Sequence, residues 1–174
     1  MLDITKMLHA VVDLEYAIDD HQELLIGPDA RRQTIIVWLD TQLAAFADDA
    51  AWAKVLTKAP VDRAGLKDHY LKSLALMLLY SAKQQWTQLV VMDESSWQRI
   101  VGAQQSTKLA DLNKEYLAVK HFLSGAYYSH RQEDFRHAWH LLLKMGIVDF
   151  GLQPADLEAS YQQLMRDLHA KFAE

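Results

Sequence analysis

Apolar residues recur at intervals of three and four along six long stretches of this chain, and no stretch alternates with period two. That rhythm suits helices, each burying one face. Glycine and proline are scarce, 6 and 3 in 174 residues, so few points exist at which a helix must break. The first stretch, 3–25, carries Ile4, Met7, Leu8, Val11, Val12, Leu14, Ile18 and Leu25 on its stripe, and Gly27-Pro28 stops it. A second helix is predicted from about 30 to 57, capped by Asp29 or a neighbour, with Ile35, Ile36, Leu39, Leu43, Phe46 and Val55 inward. KAPVDRAG at 58–65 is the clearest loop. The third helix, about 66–90, is the most apolar, with Leu71, Leu74, Leu78 and Leu79 buried on several sides. A short helix through Val101 is capped by Ser95 or Ser96. Helices over 108–130 and 132–145 follow, the latter ending at Gly146, and Pro154 starts the last. The expectation is one all-α bundle spanning 1–174, with its first three helices packed antiparallel through short loops.

Composition narrows the function classes. The chain is 51% hydrophobic and 24% charged, which is ordinary for a globular protein. Its net charge of −5 disfavours nucleic acid as a partner, because that binding needs cations to displace counterions. With no cysteine there is no disulfide, no thiolate-bound zinc and no thiol nucleophile. The N-terminus has no basic region followed by an apolar run, and the longest apolar run, LALMLLY at 74–80, is far too short to cross a bilayer. A cytoplasmic protein without a membrane partner is expected.

Chemistry is hard to find. A hard divalent cation on a bundle needs converging carboxylates, usually as pairs three or four residues apart on facing helices. Only Asp20/Glu23 has the spacing of three, while Glu15/Asp19, Asp19/Glu23 and Asp111/Glu115 have the spacing of four. All read as solvated acidic faces. His137 and His140, with Glu133 one turn earlier and His130 nearby, have the spacing of a zinc or iron site but lack ligands from other helices. Separate surface or packing histidines explain them as well. Nucleophile elbow, P-loop and GxGxxG patterns are absent. The five tryptophans are scattered, as core or interface anchors would be.

The order of segments nevertheless has a likeness. VVDLEYAI (11–18), IIVWLDTQLAAFADDAAWAK (35–54), the loop KAPVDRAG, LKDHYLKSLALMLL (66–79) and DFGLQPADLEASY (149–161) follow one another. In this order they resemble the dimeric, all-α dUTPase branch of the all-α NTP pyrophosphatase (MazG-like) superfamily. The resemblance covers most of the chain in pattern more than in identity, and its last segment is the most persuasive. It implies a helical bundle completed by dimerisation. It also implies two acidic pairs on facing helices that hold Mg²⁺ against a nucleoside triphosphate and orient the attacking water.

Matched residue by residue, the first pair falls on Trp38 and Thr41 and the second on His69 and Lys72, so no acid stands at any of the four. Asp40 and Asp68 lie one residue away, which turns a side chain by about 100° around a helix, off the inward face. Lys72 puts an ammonium where a metal ligand belongs. The Lys and Asn the family has on its last helix are also missing, with Gln163, Leu164 and Met165 in that stretch. The resemblance therefore implies a fold kept and a metal-dependent hydrolysis lost, with no catalytic residue and no cofactor expected. Two uses of the site are open. Trp38 could stack on a nucleotide and Lys72, beside Asp68, hold its phosphate in a relic pocket. Otherwise Trp38 fills the former metal cavity and Lys72 points to solvent, which is the expectation carried forward. The competing readings are an active Mg²⁺-dependent pyrophosphatase of the dUTP diphosphatase kind with other ligands, and an unrelated helical interaction domain. A homodimer is expected, with a nucleotide or a protein as further partner.

Overall fold

Seven α-helices and no strand occur among the described residues of a computed structural model, which describes 1–23 and 25–172. They are α1 (Ile4–Gln22), α2 (Pro28–Ala50), α3 (Arg63–Lys83), α4 (Glu94–Val101), α5 (Leu109–Ser129), α6 (Gln132–Lys144) and α7 (Pro154–Ala170). The all-α expectation holds. None of these helices is long and apolar enough to cross a membrane.

The differences from the sequence reading lie at helix ends, where local hydrogen bonds decide. Asp62 accepts from the Ala64 and Gly65 N–H groups, so α3 starts three residues before the expected point. Asp93, not Ser95 or Ser96, caps α4 by accepting the Ser96 N–H at 2.7 Å. Ala51 adopts a left-handed conformation (φ 59°) that ends α2 early, so Trp52 and Val55 leave the helix and Val55 is exposed. Leu25, expected on the α1 stripe, lies beyond its end and in solvent. Gly146 does not end α6. The chain continues into a π-helical turn, Met145–Asp149, whose Gly146 backbone lies flat against the Tyr70 ring, where a Cβ could not fit.

The core is organised around α3. Twelve of its residues, from Leu66 to Ser81, are buried. α2 and α1 pack on it, α7 packs on α1, and α6 packs on α5. The helix is apolar nearly all round because it is enclosed nearly all round. Buried tyrosines pin the layers through their hydroxyls: Tyr70 donates to Leu142 O at 3.1 Å and Tyr161 donates to Met7 O at 3.0 Å. Burial raises both phenols' pKa, so they remain neutral donors. Trp139 does the same in α6, its indole N–H donating to Val90 O at 3.0 Å.

Candidate ligand-binding cavity

Where α1, α2, α3 and α7 meet, a half-open cavity of about 400 Å³ remains. Spacings of three and four place its walls: Leu14 and Ile18 from α1, Leu76 and Leu79 from α3, and Leu164 and Leu168 from α7. Each pair turns one face of its helix inward. The lining also includes Trp38 and Lys72, the positions matched to one acid of each pair in the family pattern.

Trp38 does not fill a core. The inward stripe of α2 is Ile35, Leu39, Leu43, Phe46 and Ala50, whereas Trp38 is 51% exposed at the cavity edge. One residue's rotation separates it from Leu39. Lys72 is half-buried, and its ammonium donates to Asp68 one turn earlier at 2.6 Å. Asp68 itself does not line the cavity and meets it only through Lys72.

A second charged group closes the cavity between α1 and α2. Arg31 donates to Glu15 at 3.0 Å and to Asp19 at 2.7 Å, and Lys83 of α3 also pairs with Glu15. The hydrogen bond to Asp19 is the main cause that raises the Arg31 pKa, against the opposing effect of burial. Glu15 is only 7% exposed. The Glu15/Asp19 pair is thus not the solvated acidic face the sequence suggested. Its spacing of four lets the single Nη1 atom of Arg31 reach both carboxylates.

The other two matched positions go elsewhere. The Thr41 hydroxyl donates to Trp38 O at 2.7 Å, and its side chain lines a separate groove between α2 and α5. In that groove Asp40 pairs with Lys120. His69 turns toward the end of α2, its Nδ1 2.6 Å from the Asp49 carboxylate. An indole, a hydroxyl already donated, an engaged imidazole and an ammonium do not converge and do not fit Mg²⁺. Among the described residues no three His, Asp or Glu side chains gather to hold a metal.

The histidine motif of α6 is also dispersed. His137 lies 2.7 Å from Glu133 O and stacks on Phe122, with ring centroids 5.2 Å apart. His140 is half-buried near Arg136 and Arg99, and burial with those charges lowers its pKa. His130 is exposed in the left-handed residue that ends α5.

One polar cluster escaped the sequence reading. Glu115, expected in solvent with Asp111, meets Lys144 at 2.5 Å and accepts from the Ser106 hydroxyl at 2.7 Å. Lys144 also pairs with Asp149 at 2.8 Å, and Asp149 accepts the Ser106 N–H at 2.7 Å. The π turn brings Asp149 to this point, and helical periodicity gave no sign of it. The cluster ties the 105–106 segment to α5 and α6. Compared with models of known families, with curated proteins and with solved structures, the chain matches none.

Proposed function

We propose that this protein is a non-catalytic binding module on a dUTPase-like helical bundle, one in which metal-dependent nucleotide hydrolysis has been lost. The observation that carries the reading is the fate of the four matched positions. Trp38 and Lys72 border an apolar cavity, while Thr41 and His69 are engaged elsewhere. Hydrolysis of a triphosphate in the resembling family depends on carboxylates that offset phosphate charge through Mg²⁺ and lower the pKa of water. Among the described residues no converging set of that kind supports such a step. A concave, mostly apolar site of this size between helices is the usual shape of a small-ligand pocket.

The same resemblance implies a homodimer, for which exposed Val37, Leu117 and Tyr128 offer apolar surface. Sedimentation equilibrium over a hundredfold range of concentration tests this, a monomer throughout being the contrary result. The binding reading is tested by a thermal-shift screen of nucleotides and apolar compounds with and without Mg²⁺. Stabilisation that does not need Mg²⁺ is expected. Stabilisation by triphosphates only when Mg²⁺ is present would contradict it.

A further inference from the structure

We infer that the cavity between α1, α2, α3 and α7 takes an uncharged, apolar small molecule and not a nucleotide or other phosphate. The inference rests on the reading of the protein as a binding module and gives that module its ligand class.

Charge decides the class. Each cation at the cavity already has its counter-ion within the chain: Arg31 bridges Glu15 and Asp19, and Lys72 is held by Asp68. Glu15 and Asp19 themselves line the cavity. A triphosphate placed here would meet two carboxylates and no unpartnered cation, and would have to break an ion pair to gain one. An uncharged hydrocarbon meets no such obstacle. The walls are leucine and isoleucine from four helices, and the Trp38 ring at the edge offers an apolar face to an entering molecule.

Shape argues for a small molecule over a protein surface. The cavity has walls on four helices and a volume of about 400 Å³, within the range of small-ligand sites. A second copy docking by a convex helix face would cover the mouth and leave the interior unfilled. The cavity's leucine and isoleucine walls suit an apolar guest.

The test uses the full chain with 1-decanol and dUTP as probes. Decanol at about ten times its Kd is expected to raise Tm by about 3 °C or more. Thr34, exposed at the cavity, provides the blocking variant. T34W is expected to weaken decanol binding at least tenfold, while K120A, in the separate groove between α2 and α5, leaves it within twofold. Because a variant could fail for reasons of folding, methyl NMR on the wild-type chain supplies a second readout. Contacts from decanol to the Leu76 and Leu79 methyls are expected. Absence of a decanol shift up to its solubility limit, or binding that survives T34W without those contacts, overturns the inference. A dUTP shift without Mg²⁺ that K72A abolishes overturns the ligand class but leaves the binding module standing. Turnover of dUTP overturns the module reading itself.

Discussion

Glu115 and Asp149 share the Lys144 ammonium, at 2.5 Å and 2.8 Å, with the Asp149 side chain fully excluded from solvent. Burial, and then the proximity of Glu115, push the Asp149 pKa up to about 6. Burial also acts to raise Glu115, but hydrogen bonds to Asp149, Lys144 and Ser106 outweigh it and hold that carboxyl below its ordinary value. Below about pH 6 the pair therefore holds one proton, on Asp149.

A pH dependence follows, with a definite sign. Asp149 binds its proton more tightly in the folded than in the unfolded chain. Its stabilising contribution is complete below the unfolded value of 3.8 and is lost as pH rises through about 6. Glu115 works in the opposite sense, its contribution lost as pH falls below its ordinary range. D149N removes the first titration. Relative to wild type, the variant is expected to gain about 1–3 kcal/mol of stability between pH 4 and pH 7, read from urea unfolding at both values. An unchanged difference would mean that Asp149 is ionised throughout.

Arg31 joins α1 to α2 through two carboxylates of which Glu15 is nearly buried. R31A leaves Glu15 to Lys83 alone and is expected to lose about 2 kcal/mol, and R31K to recover less than half of that because an ammonium is more strongly hydrated and costs more to bury. Chemical denaturation of the three proteins measures both. Equal stability of R31A and wild type would return the group to an ordinary surface pair.

Gly146 is the point of closest approach between the π turn and α3. A methyl group there collides with the Tyr70 ring and disturbs its hydrogen bond to Leu142 O. G146A is expected to be destabilised by about 3 kcal/mol, from overpacking and the loss of a buried hydrogen bond together. A melting temperature within a degree of wild type would show that the ring moves aside freely.

Trp38 and Trp139 separate a rim residue from a core residue. Trp139 is buried with its N–H satisfied, so W139A is expected to lose about 3–5 kcal/mol. W38A is expected to lose less than about 1 kcal/mol, as exposed substitutions do, while altering ligand binding. A large loss from W38A would restore the idea that this ring fills a core.

These contrasts mark what could be known from residue order. The number and approximate extent of the helices followed from periodicity, because Leu39, Leu43 and Phe46, or Leu74 and Leu78, repeat with the helical turn and are buried for that reason. Helix ends did not follow, since Ala51 carries no sign of the left-handed conformation that ends α2. Trp38 and Lys72 were legible as positions in a pattern, but their placement at one cavity depends on how four helices diverge, which no single segment encodes. Glu15 and Asp19 looked solvated because Arg31 approaches from another helix. The same holds for Glu115, whose partners Lys144 and Asp149 arrive through the π turn.

The most direct test of the central claim is pyrophosphate release from dUTP by the purified wild-type chain, with Mg²⁺ and then Mn²⁺ at millimolar concentration. An apolar cavity bordered by Trp38 and Lys72 should give a rate indistinguishable from the protein-free blank with either metal. Metal-dependent turnover that scales with protein concentration would contradict the account.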